Sequence, residues 1–227
     1  MKKSVVLLSG GMDSTVNLYQ ALKDSDVVLA LTFNYGQQSA PKEIQVTRKI
    51  TEKLKVPHRV LDLPFFNNWG QSSLLDRTKE VPRGKQVSID DMDVSLKTAK
   101  SVWVPNRNGV FLNIAAGFAE SLGAQVVIPG FNKEEAVTFP DNSQSFMKVT
   151  TEALRYSTAN AVQVHCYTVE MMKSEIVALG QSLRVDWSLI WPCYLDGEHW
   201  CGQCESCQRS KRAFAAQNVA VGGYFIN

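Results

Sequence analysis

Near the N-terminus four apolar residues, Val5-Val6-Leu7-Leu8, run without a break into Ser9-Gly10-Gly11-Met12-Asp13-Ser14-Thr15. Beyond that point apolar residues recur at helical spacing through Val16, Leu18, Tyr19 and Leu22. The chain is thereby committed to a buried strand, a tight loop and a helix. Two adjacent glycines let the backbone turn sharply and approach a ligand, and the N–H groups of the loop and first helical turn point into the space above the strand. Such a loop is an anion site. Ser9 and Ser14 add hydroxyl donors, and Asp13 is placed to cap the helix or hold the loop. No Lys-Ser or Lys-Thr follows the second glycine, so this is not a Walker A loop, and the glycine spacing is not the dinucleotide-binding one.

At 227 residues and 44% hydrophobic content the chain can bury one well-packed core with a small appendage. Its 24 basic and 22 acidic residues are spread along the sequence and leave a net charge of +2, so no electrostatic footprint for nucleic acid is expected. Lys2-Lys3 precedes an apolar run too short for a signal peptide and without a cleavage site. No run approaches the roughly 20 apolar residues that cross a bilayer. Of five cysteines, four crowd between Cys193 and Cys207, which suits metal ligation in a reducing cytoplasm better than a disulfide framework.

Taken in order, residues 27–33 read as a second buried strand ending in Asn34-Tyr35-Gly36-Gln37, and Ser39 with Pro41 opens a helix closed by Val56-Pro57. His58 to Leu63 is a third short strand. From Pro64 to about Pro105 the periodicity fails in polar, turn-rich sequence, and residues 64–104 are expected to form a lid or mobile insert. Asp90, Asp91 and Asp93 lack the later glycine and glutamate of an EF-hand and read as a solvated acidic turn. A long apolar helix then runs through Val110-Phe111-Leu112 to Gly123. After it come strand 126–128, the turn Pro129-Gly130-Phe131-Asn132, a helix from about Asp141 to Tyr156, strand 162–167 and a helix over 173–179. This alternation predicts an α/β fold with a doubly wound, mostly parallel sheet and right-handed crossovers. Ligands of such sheets bind beyond the carboxyl ends of the strands, so the loops Ser9–Ser14, Asn34–Gln37 and Gly130–Asp141 are expected on one rim. His58, His165 and Cys166 sit in strand-like apolar surroundings and read as structural. No Gly-x-Ser-x-Gly or comparable nucleophile setting is present, which favours catalysis by positioning and charge stabilisation.

Cys193 precedes Cys201-Gly202-Gln203-Cys204-Glu205-Ser206-Cys207. Four thiolates so spaced can close around one tetrahedral zinc as a structural site. An iron–sulfur cluster or free cysteines are the alternatives, and His199 is the competing ligand. Arg209, Lys211 and Arg212 follow; they read as a solvated basic face, with Arg209 and Lys211 as weak candidates for phosphate contact.

The first loop matches every fixed position of the Ser-Gly-Gly-x-Asp-Ser motif of the N-type ATP pyrophosphatases, which it resembles. The further motifs Phe33-Asn34-Tyr35-x-Gln37, Val104-Pro105-Asn106-Arg107-Asn108, Gly130, Phe139-Pro140-Asp141 and Lys173-Ser174-Glu175-Ile176 follow in order, with the cysteine spacing. Together, over nearly the whole chain, they resemble the 7-cyano-7-deazaguanine (preQ0) synthase family of the queuosine pathway. That resemblance implies an ATP-dependent C–N ligase, in the fold of the adenine nucleotide alpha hydrolases, acting on 7-carboxy-7-deazaguanine and ammonia. It implies ATP held by Leu8, Ser9, Gly10, Gly11, Met12, Asp13, Ser14, Phe33 and Gly130, and catalysis by Asp13, Ser14, Arg107 and Lys173. Substrate would meet Tyr35, Gln37, Asn108, Glu135 and Asp141, and zinc would be held by Cys193, Cys201, Cys204 and Cys207, with Mg²⁺ beside ATP. It implies further a nucleotide-binding domain over 1–185, a zinc-binding module over 186–227, and a cytoplasmic homodimer without nucleic-acid or membrane partners. For Arg107 a surface ion pair, and for Lys173 a solvated position at a helix start, remain the plain alternatives. Two departures from the family pattern stand out. Gln38-Ser39 replace Arg-His, and Glu135 with Val137-Thr138-Phe139-Pro140-Asp141-Asn142-Ser143 replaces an aspartate and Ser-Gly-Tyr-Pro-Asp-Cys-Arg at preserved length.

Within the same chemistry, a sister reading joins a related deazapurine acid to another amine. A tRNA-modifying relative would need an RNA-binding extension and a reactive cysteine, neither of which is evident. A non-catalytic zinc-knuckle interaction module is a different class, and the intact Ser9–Ser14 loop argues against it.

Overall fold

A computed structural model describes residues 1–225. The chain runs β1 (Lys3–Leu7), α1 (Met12–Asp24), β2 (Asp26–Asn34), α2 (Ala40–Leu54), β3 (His58–Asp62), α3 (Met92–Val102) and α4 (Arg107–Ser121), then β4 (Val126–Ile128), α5 (Lys133–Ala136), α6 (Gln144–Ser157), β5 (Gln163–Val164), α7 (Lys173–Ser182) and α8 (Glu205–Ala216). The five strands form one parallel sheet in the order β3-β2-β1-β4-β5. Successive residues of a strand point to opposite faces, and that alternation sorts two cores. Val5, Leu29, Leu31, Phe33 and Val127 join one with Leu112, Ala115 and Ala119 of α4, Ile176 of α7 and Phe214 of α8. Val6, Leu8, Ala30 and Ile128 join the other with Leu18 of α1 and Ile50 of α2. Burying each Val, Leu, Ile or Phe among them fully contributes about 1.5–3 kcal/mol, so helices on both faces are held by the strands' apolar runs. Among the described residues no helix is long and apolar enough to cross a membrane.

The strand order reverses direction at β1, whose neighbours β2 and β4 lie on either side. At such a switch point the loops after β1 and β4 diverge and leave a crevice. Gly130, just beyond β4, makes that crevice narrow at its base: a Cβ there would lie 2.6 Å from Ser14 N and Cα. The three loops expected on one rim do share it, since each follows the carboxyl end of a parallel strand.

The segment 64–104 and strand β5 differ from the sequence expectation. Residues 64–104 are not without periodic structure: α3 occupies Met92–Val102, and short 3-10 turns occupy Pro64–Asn68 and Gly84–Gln86. The buried face of α3 is Ser95, Thr98, Ala99 and Val102, whereas Met92 and Leu96 face outward. The large apolar side chains Met92 and Leu96 point outward and the inner face carries small ones, so no stripe of large apolar residues marks the helix. Within the acidic stretch Asp91 caps α3, accepting from Val94 N at 3.1 Å, and Asp90 pairs with Arg212 at 2.7 Å. Strand β5 is shorter than 162–167. His165 N still donates to Val127 O, but Tyr167 N turns to Asn17 Oδ1 at 2.9 Å, so a side-chain acceptor takes over where β4 ends. Cys166 is buried in that turn, within 3.4–3.5 Å of Asn17, Thr168 and Phe131 O, and His58 Nε2 lies 2.8 Å from Thr32 Oγ1.

Candidate functional site

A cavity opens at the carboxyl ends of β1, β2 and β4, and the Ser9–Ser14 loop forms its floor. Gly10 has φ +79°, and a Cβ on it would lie 2.4 Å from Val46 Cγ2, so the turn fits only glycine. Its carbonyl accepts Trp191 N at 2.7 Å. Ser9 and Ser14 face each other with hydroxyls 3.0 Å apart, Ser9 N donates to Ser14 Oγ at 3.2 Å, and Ser14 Oγ donates to Gly11 O at 3.2 Å. The loop is therefore shaped before any ligand arrives. Because α1 begins at Met12, the N–H groups of its first turn have no intrahelical acceptor and face the cavity side.

Lys173 stands over this floor. Its side chain is 3% exposed, and Nζ lies 2.6 Å from Asp13 Oδ2 and 2.9 Å from Glu135 Oε1. It is not solvated: the two carboxylates outweigh both burial and the unfavourable helix start. Burial opposes the charge of Lys173, but Asp13 and Glu135 hold it above the usual ammonium range. Burial pushes the Asp13 carboxyl up despite Lys173. Burial also opposes the Glu135 charge, yet Lys173 prevails there and holds it down. Asn132 Nδ2 donates to Asp13 Oδ2 at 3.3 Å, while Asp13 Oδ1 is buried with no hydrogen-bond partner among the described residues.

Across the cavity Arg107 begins α4 behind Asn106, whose left-handed φ of 50° turns the chain into the helix. Arg107 Nη1 donates to Tyr35 OH at 3.2 Å and its guanidinium lies 5.7 Å from the Tyr35 ring centroid. This is a half-buried cation in the cavity wall and not a surface ion pair. Asn108 Nδ2 donates to Asp141 O at 3.2 Å. Burial raises the Asp141 carboxyl, with Arg107 pulling the other way. Phe33, stacked on Phe111 with centroids 4.2 Å apart, and the parallel rings of Trp103 and Phe139 supply flat apolar walls.

Most of the residues singled out in the sequence meet here: Leu8, Ser9, Gly11, Met12, Asp13, Ser14, Phe33 and Tyr35 line the cavity, as do Arg107, Asn108, Gly130, Glu135, Asp141 and Lys173. Gly10 shapes the floor from behind it. Gln37 does not line the cavity. It is 2% exposed, and its amide is consumed by Tyr35 N, Phe33 O and Glu43 at 2.9–3.0 Å, bracing the loop after β2. Glu43, Trp103, Phe139 and Tyr194 were missed as lining residues. Glu43 sits on a helix face and Tyr194 beside Cys193, and neither position carries a local sequence signal.

Behind one wall the Sγ atoms of Cys193, Cys201, Cys204 and Cys207 lie within 4.8 Å of one another. Cys201 and Cys207 are 3.9 Å apart, close to the roughly 3.8 Å edge of a tetrahedron with metal–sulfur bonds of about 2.3 Å. Leu195 N and Cys201 N point at Cys193 Sγ, and Gln203 N and Cys204 N at Cys201 Sγ, all at 3.3–3.4 Å. Such N–H groups, and the α8 N-terminus where Cys204 is the cap, favour thiolates. The donor set fits a metal ion. His199 is not part of it. Arg209 is neither solvated nor free for phosphate: it is buried and paired to Glu134 and Glu205. Lys211 Nζ lies 4.3 Å from the Phe225 ring centroid.

The family described as queuosine biosynthesis protein QueC matches residues 3–218. The chain is 59% identical over 225 residues to a protein named 7-cyano-7-deazaguanine synthase from Bdellovibrio bacteriovorus, covering 99% of this chain and 97% of that protein. It is 49% identical over 223 residues to a protein of the same name from Desulforamulus reducens, covering 98% of each. A third of that name, from Carboxydothermus hydrogenoformans, is 48% identical over 213 residues, 94% of this chain and 98% of that protein.

Proposed function

The chain belongs to the QueC family of queuosine biosynthesis proteins, and from that premise we propose that it converts 7-carboxy-7-deazaguanine and ammonia into 7-cyano-7-deazaguanine at the expense of ATP. The observation that supports this most is the meeting, in one cavity, of the preformed Ser9–Ser14 anion loop with Lys173, Arg107 and the carboxylates of Glu135 and Asp141. A carboxylate oxygen of the substrate attacks the α-phosphorus of ATP and pyrophosphate leaves. Ammonia then attacks the acyl carbon of the adenylate, AMP leaves, and the amide remains. In a second round the amide oxygen attacks the α-phosphorus of a second ATP, pyrophosphate leaves, the amide nitrogen gives up its two protons, and AMP departs to leave the nitrile.

In each adenylation negative charge grows on phosphate oxygens. The fixed N–H groups from Met12 to Ser14 and the Lys173 ammonium meet that charge without reorganising, the largest effect a site of this kind can supply. Arg107, anchored on Tyr35, presents its fork to phosphate or to the substrate carboxylate. Glu135 accepts hydrogen bonds from the amino and imino edge of the heterocycle, which rests against the Trp103, Phe111 and Phe139 rings. Mg²⁺ bound with ATP supplies charge neutralisation, and the unpartnered Asp13 Oδ1 is the buried oxygen that fits it. Zinc is the metal that a closed four-cysteine set would hold. Residues 1–185 act in this reading as the nucleotide-binding part, 186–227 as the zinc-binding part and 64–104 as the cover over the substrate, in a cytoplasmic homodimer that uses no nucleic acid or membrane.

Gln38 and Ser39 favour one second reading, because they stand where the family usually has Arg-His. Gln38 Nε2 donates to Ser73 O and Ser39 Oγ to Glu43, so neither supplies a cation there. A sister ligase joining a related deazapurine acid to another amine is compatible with that change. Incubation with ATP, ammonium and 7-carboxy-7-deazaguanine tests both. AMP, pyrophosphate and the nitrile are expected; amide or another conjugate as final product selects the sister reading, and no ATP cleavage defeats both.

A further inference from the structure

Behind the cavity lies a buried set of charges that the proposed chemistry does not use. Arg209 of α8 donates to Glu205 Oε1 from Nε and Nη2 at 3.1 and 2.8 Å, and from Nη1 to Glu134 Oε2 at 3.2 Å. Arg212 Nη2 reaches the same Glu134 oxygen at 2.8 Å, and Thr98 of α3 donates to Glu205 Oε2 at 3.0 Å. The other Glu134 oxygen turns toward the site: Oε1 accepts the backbone N–H of Lys173 at 2.9 Å. Glu134 thus fills one of the N–H groups that the start of α7 leaves open. Its chain neighbour Glu135 receives the Lys173 ammonium at 2.9 Å.

Buried ion pairs are seldom retained for net stability, since apolar residues of similar volume often serve as well. Their directional hydrogen bonds do fix geometry. Here the fixed point is the backbone of Lys173, and the fixing group sits one helical turn from Glu205 on the helix that carries Cys207. We propose that Arg209 is a positioning residue: through Glu134 it sets the start of α7 and holds Lys173 Nζ between Asp13 and Glu135. The cysteine-bearing helix is then part of the geometry of the reacting site. The inference rests on Lys173 belonging to the nucleotide site as proposed above.

The test uses the full, metal-loaded chain with Arg209→Met, Arg209→Lys and Glu134→Gln. Gln at 134 keeps a carbonyl oxygen for the Lys173 N–H but gives up the ion pair. For Arg209→Met, hydrogen exchange of the Lys173 amide is expected to accelerate about tenfold, as one hydrogen bond is lost. At unchanged metal content its kcat should fall about tenfold to a hundredfold through misplacement of Lys173, with a smaller change in KM for ATP. Glu134→Gln breaks the same Arg209–Glu134 link, so its kcat should fall in the same way, while the remaining carbonyl oxygen keeps part of the Lys173 amide protection. Wild-type exchange and kcat in metal-loaded Arg209→Met overturn the proposal, as does a loss of activity that merely follows metal loss. If Arg209→Met does not fold, Arg209→Lys, which keeps the charge but not the fork, is held to the same outcomes. Absence of nitrile formation by the wild-type chain would strike the proposed function alone, because the exchange measurement still decides the positioning role.

Discussion

The Ser9–Ser14 loop and the Cys201–Cys204 turn are the same local device put to opposite uses. Each bends at a glycine in the left-handed region, Gly10 at φ +79° and Gly202 at +68°, and each delivers the chain into a helix, α1 or α8. Both therefore gather N–H groups at a helix start. In the cysteine turn those groups are spent at once on the protein's own sulfurs, Gln203 N and Cys204 N on Cys201 Sγ. In the first loop the serines brace each other and the backbone donors of α1 are left for a guest. The difference teaches that a turn becomes a structural or a catalytic centre according to whether its acceptor is covalently part of the chain.

If the closed turn is structural, emptying it should have the largest effect. Cys204→Ser, or chelation, is expected to abolish metal retention and to cost on the order of 5 kcal/mol of stability, below the ~10–16 kcal/mol of zinc in isolated peptides because α8 also packs on the core. Metal analysis and denaturant melts check it; a fully stable metal-free chain would erase the distinction between the two turns. Gly10→Ala comes next, at about 2–5 kcal/mol, since left-handed strain adds to overpacking against Val46. Ser14→Ala should cut turnover about 10²-fold with fold and metal content unchanged, and an unchanged rate would show that the open turn serves no guest.

Burial raises the Asp13 carboxyl in the folded chain, so its contribution to stability is full below the unfolded value of 3.8 and is lost as pH rises through the folded value. Asp13→Asn removes that burial cost but also one of the two carboxylates that hold the buried Lys173 ammonium, so the melting temperature at neutral pH is expected to fall and turnover to be lost; an unchanged melting temperature would show that Glu135 alone keeps Lys173 buried. The smallest effect belongs to Gly202→Ala, about 1–2 kcal/mol. It carries the same backbone strain, but the atom a Cβ would meet at 2.6 Å is the mobile Lys211 Nζ.

Where residues adjacent in sequence make the feature, the sequence displays it. The strand–loop–helix of residues 5–22 and the four cysteines are of that kind, and both stand in the structure as read. Features made by distant partners left no local trace. Lys173 looked misplaced at a helix start because Asp13, 160 positions away, is what neutralises it. Arg209 looked like one of a solvated basic run because Glu134, 75 positions away, is what buries it. Gln37 matched a family motif, yet matching a motif does not say which way an amide faces, and this one braces its own loop. Helix α3 was lost for the converse reason: its inner face is made of small side chains and its large apolar residues Met92 and Leu96 face outward, so no large apolar stripe announced it.

The 2.7 Å bond from Trp191 N to Gly10 O has a consequence for how the protein comes into being. Residues 9–14 leave the ribosome well before the group that anchors their sharpest bend, because Trp191 follows Gly10 by 181 residues. Until then a nascent chain carries the complete loop sequence without its lock, and without the Lys173 that stands over it. Nucleotide affinity should therefore arrive late and abruptly, at about the moment the cysteines emerge, so that a chain still being made does not sequester ATP.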